Sequence, residues 1–279
     1  MATAAINQGF FKMFSASRNF LFGLAGLLLT LSSSHAHDFW IDPSEYRPHP
    51  GQTVNIFLRV GQNLSGDSVP YIPNWFSDYR IVGPKGAKPV EAEIGDDPAG
   101  WFAPATDGLY LIGHRTERSF VKIEPAKFKQ YLEMEGLYQA MKLRKQRGET
   151  DKPAGELYSR CAKSLVSVGS GNPDAVFNKV LGYTLELIPL KNPYKLAAND
   201  KLPVRLLYES RPIANVTVIA FNSAAPGDAQ RISTDANGRA DIAINKPGIW
   251  LIKAVHIIEI ADSERAQWES FWASLTFRR

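Results

Sequence analysis

Phe102 to His114 reads FAPATDGLYLIGH, and Ile244 to His256 reads INKPGIWLIKAVH. Each is a glycine turn, then an aromatic residue, then Leu-Ile, then histidine. The stretches that open the two halves match as well. Val54, Ile56, Leu58 and Val60 alternate with Thr53, Asn55, Phe57 and Arg59, and Asn199 and Asp200 lead into LPVRLLY. Alternation at period two marks strands with one buried face. IVGPKGAKPVEAEI follows the first opening and ESRPIANVTVIAF the second. Two copies of one unit account for this better than one large sheet. The fold class expected is mainly β, with two tandem β-sandwich modules and a short α-helical insert between them.

Composition agrees with that class. The 279 residues include 18 prolines and 21 glycines, more breakers than helix-rich chains carry, with 11% aromatics and 44% hydrophobic residues. The formal charge of +4 includes Lys12 and Arg18 in a segment, 1–36, that holds no acid. The remainder is 30 basic against 28 acidic residues, so the basic pI is no argument for nucleic acid, which is not expected as a partner.

Residues 1–36 have the order of a secretory signal peptide. A weakly basic start to Arg18 precedes the apolar run FLFGLAGLLLTL, and small residues end in Ser34 and Ala36. The run is short for a membrane span, which takes about 20 apolar residues, and no transmembrane segment is expected in the mature chain. The mature protein is expected in the periplasm, and no cysteine at the cut offers a lipid anchor. Cys161 is the only cysteine, so no intramolecular disulfide forms. Cleavage after Ala36 leaves His37 first, with an α-amine and an imidazole that close a chelate ring on a transition metal. The amine titrates near pH 8 and is available in a neutral compartment. Cleavage after Ser34 would instead give His-Ala-His.

The period changes in the middle of the chain. Pro125 suits a helix start, and Phe128, Tyr131, Leu132 and Glu135 recur at helical spacing up to Gly136. A second helix is expected over 137–147, then an exposed loop RGETDKPAG. Leu157, Cys161 and Leu165, four apart, predict a third short helix ending by Gly169. The domain reading is 37–125 for the first sandwich, 126–170 for the helical insert and 171–279 for the second sandwich. Within the last, STDANGRADIAI predicts a hairpin with Asn237 and Gly238 at the positive-φ positions. Asp235, Asn237 and Asp241 lack the glutamate and spacing of a calcium loop.

Several fragments together carry a family resemblance: HDFWIDPSEYRPHPG at the mature start, FKQYLEMEGL, RCAKSLVSVG, GIWLIKAVH and WASLTF. The chain resembles the secreted bacterial domain-of-unknown-function proteins labelled periplasmic components of cobalt or nickel ABC transport systems. That resemblance implies nickel or cobalt as cargo and a membrane component of metal transport as partner. The related nickel-uptake membrane components place histidine second at a processed N-terminus, where this chain has it first or third. RPIANVTVIAF, TDANGRADI and KPGIWLIKA resemble the transthyretin-like or carboxypeptidase-regulatory sandwich, an immunoglobulin-like architecture that binds or spaces and does not catalyse.

Four histidines survive processing: His37, His49, His114 and His256. A borderline metal takes two or three imidazoles with a carboxylate or water. His37, His256, His114 and Asp38 are the candidate ligands, for nickel, cobalt or copper. His49, between two prolines, reads as a turn residue. Cys161 reads as a buried small hydrophobe, and KLRKQR (142–147) as a solvated helix face. Trp75, Trp268 and Trp272 are candidates for an exposed binding surface. No nucleophile elbow, HExxH pair or phosphate loop is present, and no enzyme is expected. A copper brace at the N-terminal histidine is the one catalytic alternative. The functional expectation is a periplasmic transition-metal binding protein, an accessory of metal uptake. The alternative is a metal-free module that binds a glycan or a protein.

Overall fold

The computed structural model describes residues 38–170, 176–197, 199–261 and 263–279. Strands β1 (Asp38–Pro43), β2 (Val54–Gln62), β3 (Ser65–Val69), β4 (Phe76–Gly83), β5 (Gly86–Pro89), β6 (Trp101–Phe102), β7 (Gly108–Thr116) and β8 (Ser119–Ile123) precede two helices. These are α1 (Pro125–Glu135) and α2 (Tyr138–Gln146). Then come β9 (Ala154–Val168), β10 (Leu185–Pro189), β11 (Lys201–Tyr208), β12 (Arg211–Pro212) and β13 (Thr217–Asn222). Strands β14 (Ala225–Ser233), β15 (Arg239–Ala243), β16 (Ile249–Glu259) and β17 (Trp268–Arg278) complete the chain.

The protein is mainly β. Nine strands form one sheet in the order β14-β13-β16-β17-β9-β7-β4-β5, with β8 also on β9. Strands from both repeated halves meet in it, joined by the parallel pair β9–β17, in which Arg160 stands opposite Trp272 and Ala162 opposite Ser274. Two four-stranded sheets complete the layers. One is β1-β2-β3 with β6 on β2, and the other is β10-β11-β12 with β15 on β11.

Side-chain alternation sorts the long sheet into two faces. On the front, Ile81, Tyr110, Ile112, Ala162 and Val166 pack with Phe39, Ile41, Ile56 and Leu58 of the β1–β2 sheet. Further along the front, Trp268, Trp272 and Val255 pack under Phe128, Tyr131 and Leu132 of α1. Trp40 covers Ile219, Phe221 and Leu251 there as well. On the back, Leu111, Leu165, Ala220, Ile252 and Leu275 pack against Leu187, Val204 and Leu206 of the β10–β11 sheet.

Local signals explain both helices. Pro125 occupies the first turn of α1, and Gly136 ends it at φ 71°. The amides of Gly136 and Leu137 close on the carbonyls of Glu133 and Leu132, a Schellman stop. Helix α2 covers most of the expected second helix.

The expected third helix is a strand instead. Leu157, Cys161 and Leu165 share a face at spacing four in either structure. The residues between them, Tyr158, Arg160, Ala162, Ser164 and Val166, line the other face, and β9 is paired along its length by β7, β8 and β17. A fifteen-residue strand with partners on both edges outweighs a short helical pattern. The Asn237-Gly238 turn forms, but only Gly238 has positive φ, at 70°. Its flanking strands diverge, β14 pairing with β13 and β15 with β11. Asp235 shapes this corner, because its Oδ1 accepts from the amides of Asn237 and Arg239.

Candidate functional site

A layer of polar side chains lies on the front face beneath β1 and α1. The lone charge in the apolar run of β16, Lys253, donates to the Asp38 carboxylate at the start of β1. It also donates to Glu135 Oε1 at the end of α1, at 2.7 Å. All three are buried, at 6%, 4% and 3% exposure. A buried ammonium between two carboxylates recovers its desolvation cost only through such close contacts. Burial alone would lower the Lys253 pKa, but Asp38 and Glu135 offset this and hold it above the ordinary lysine value. Burial raises Glu135, against the opposing pull of Lys253.

Beside this clamp, Glu156 of β9 is 1% exposed. Its Oε1 accepts from the hydroxyls of Tyr131, at 3.2 Å, and Ser270. Ser270 in turn accepts from the Trp272 indole at 3.0 Å. Burial pushes the Glu156 carboxyl up to about 7, while the two hydroxyls and the Arg160 charge pull the other way. Arg160 stands 4.8 Å from the Tyr158 ring and 5.7 Å from the Phe39 ring, within electrostatic reach of both Glu156 and Asp38. Burial lowers its pKa below the usual arginine value.

This layer contains polar atoms with no protein partner: Glu135 Oε2, Glu156 Oε2, Arg160 Nε and Ser274 Oγ. Unpaired buried carboxyl oxygens are costly, and two of them lie in this layer. The layer sets the carboxyl groups of Asp38, Glu135 and Glu156 against Lys253 and Arg160, and burial favours the neutral form of Glu156.

The expected ligands are dispersed. His37 lies outside the described residues. Asp38 is in the layer, engaged by Lys253. His114 is fully buried on the front face among Phe76, Phe39 and Tyr79, with ring centroids 4.3, 5.1 and 5.2 Å away. Burial, aided by the Arg160 charge, lowers its pKa to about 3. His256 lies on the back face of the same sheet, half-buried with its ring 4.7 Å from Tyr208. Its pKa is lowered by burial. Because the sheet separates His114 from His256, one ion cannot hold both. Among the described residues no group of three or more His, Cys, Asp or Glu is arranged to hold a metal.

Nor do the tryptophans form one surface. Trp75 is 54% exposed, whereas Trp268 and Trp272 are core residues at 2% and 6%. Their spacing in β17 places both on the face that α1 covers. Cys161 is buried, and burial raises its thiol to about 11. The clamp itself was missed from sequence, although two signals were present. Glu135 continues the apolar stripe of Phe128, Tyr131 and Leu132, and Lys253 interrupts an otherwise apolar strand.

Fold and site together define a mainly β protein whose first strand is fastened over a buried polar layer. The chain belongs to the family described as Domain of unknown function (DUF4198), whose model matches residues 34–258. No curated protein matches it. Among solved structures, the D0-D1 domain of Intimin is 12% identical at a TM-score of 0.19, over 87% of this chain and 98% of that one. A tetra-tandem repeat in the extending region of a large adhesion protein is 13% identical at a TM-score of 0.23, over 87% of this chain and 49% of that one. Superpositions this loose carry no functional argument. Among the described residues no helix is long and apolar enough to cross a membrane.

Proposed function

We propose that this chain is an exported, non-catalytic protein that binds one transition-metal ion, nickel, cobalt or copper, at a processed N-terminus beginning with His37. The observation that carries the reading is the clamp on Asp38. The residue directly after His37 is buried and held by Lys253, in a layer where Glu135 and Glu156 each have one carboxyl oxygen without a protein partner. An N-terminal histidine brings a neutral amine and an imidazole, nitrogen donors suited to these borderline ions. Asp38, the next residue along the chain, is itself held at the start of β1 by Lys253. Periplasmic location and delivery of the ion to a membrane component of metal transport belong to the same proposal.

Nitrogen donors and acidic neighbours support this reading over a glycan platform, for which Trp75 alone of the three candidates is exposed. The test is N-terminal sequencing of the exported protein, followed by elemental analysis and calorimetric titration with nickel, cobalt and copper salts. The reading requires a chain that starts at His37 and takes up one ion. A chain that binds none of the three overturns it and directs attention to the surface around Trp75.

A further inference from the structure

We infer that the uncovered end of the back face is a binding site for an acidic sugar, a small hydroxyl-rich carboxylate, with Arg115 holding its anionic group. The inference is independent of the metal-binding reading and uses the other side of the long sheet. The β10–β11 sheet covers the back face only as far as Thr184 and Tyr208. There the Glu209 amide closes on the Thr184 carbonyl, and the Tyr208 ring rests 5.4 Å from Phe271. Past that end the back face continues with Arg115 of β7, Ser159 of β9 and Glu269 of β17. Together with Ser77 of β4 and Arg118 of the β7–β8 turn, they line an open cavity of about 370 Å³. That is within the range of small-molecule pockets, about 300–1,000 Å³.

The lining is polar, and its two arginines differ. Arg118 is paired with the buried Glu269 at 2.9 Å. Arg115 has no carboxylate partner among the described residues. Its Nε donates to Ser77 Oγ at 2.8 Å, and no group among the described residues engages its terminal nitrogens. Ser77 Oγ is itself 3.3 Å from the carbonyls of Arg115 and Thr116, so the Nε contact aims the guanidinium. A guanidinium held through Nε presents its two terminal nitrogens to a planar oxyanion, the bidentate geometry arginine forms with carboxylates. Ser159 and Thr184 add hydroxyls that donate or accept, which suits the hydroxyls of a sugar ring. Trp75 supplies the apolar element. It is 54% exposed, and its carbonyl accepts at 2.7 Å from the amide of Glu117, which also lines the cavity. An exposed indole carried on the rim offers a flat apolar face to a sugar ring. Glu117 is exposed as well, so solvent screens its charge.

The test titrates the tag-free protein, in EDTA, with sodium D-glucuronate as the probe, followed by calorimetry and tryptophan fluorescence. D-glucose, sodium acetate and inorganic phosphate are the controls, since each carries only part of the ligand's chemistry. Glucuronate is expected to bind with a dissociation constant of about a millimolar or tighter. The controls are expected to bind at least about tenfold more weakly. Arg115→Met, which keeps the aliphatic stem, is expected to lose at least about tenfold in affinity at an unchanged melting temperature, and Arg115→Lys to recover only part of that loss. Trp75→Ala is expected to weaken binding about threefold or more. If Arg115→Met does not fold, Ser159→Gln, which fills the cavity from the sheet, serves in its place with the same loss expected. No saturable binding of glucuronate, or wild-type affinity in the folded cavity variant, overturns the inference. Acetate or phosphate binding as tightly as glucuronate overturns the sugar assignment. Because EDTA is present throughout, neither result touches the metal-binding reading, and failure of that reading leaves this site standing.

Discussion

Lys253, in the middle of β16, holds Asp38, 215 residues earlier in the chain and at the start of β1. The same ammonium holds Glu135, so one side chain joins the first strand, the first helix and the long sheet. Removing it leaves two buried carboxylates facing each other. Lys253→Met is expected to cost on the order of 3–5 kcal/mol in urea unfolding, the usual penalty for breaking a buried pair. A cost under about 1 kcal/mol would show that the clamp is dispensable.

His114 makes stability depend on acid. Its folded pKa is about 3, against 6.5 in the unfolded chain, so the unfolded state binds the proton first. Its contribution is complete above pH 6.5 and is lost as pH falls from there toward 3. The loss approaches on the order of 5 kcal/mol, at about 1.4 kcal/mol per pH unit. In His114→Phe the curve of stability against pH is expected to flatten across that window. An unchanged slope would assign the acid sensitivity to other groups.

On the back face a second ion pair closes the junction of two sheets. Glu186 accepts from Lys163 at 2.7 Å and from the amides of Leu181, Gly182 and Tyr183. Glu186→Gln turns a donor toward this ring of donors and is expected to destabilise by about 3–5 kcal/mol. Adding Lys163→Met is not expected to restore stability, because the three amides still lack their acceptor. Full recovery in the double variant would show that the amide contacts contribute little.

Gly136 combines a left-handed backbone with a tight contact. A Cβ there would stand 2.4 Å from Thr217 Oγ1. Gly136→Ala is expected to lower stability by about 1 kcal/mol from the φ of 71° alone, and by more from the contact. Gly136→Ala with Thr217→Ser is expected to recover only part of that loss, as read by thermal melting.

Much of the fold was legible because period-two alternation is local. Val54, Ile56 and Leu58, and the LPVRLLY run, announce one buried face each, and Pro125 and Gly136 bracket a helix. Spacing by four was ambiguous at Leu157, Cys161 and Leu165, since it suits a helix face and a strand face alike. Long-range pairing of β9 with β17 decided it. The site was legible at one end only. Asp38 drew attention only as the neighbour of His37, the residue expected to follow the cut, and His37 lies outside the described residues. Lys253, Glu156 and Ser270 acquire meaning only when distant strands meet, and parity within a single strand could not say that His114 and His256 would face opposite ways.

The most direct measurement is calorimetric titration of the mature, tag-free protein with nickel, cobalt and copper, run beside His37→Ala and His256→Ala. The account predicts one ion per chain with a dissociation constant of about a micromolar or tighter, abolished in His37→Ala and unchanged in His256→Ala. No binding in the mature protein, or full binding in His37→Ala, would contradict it.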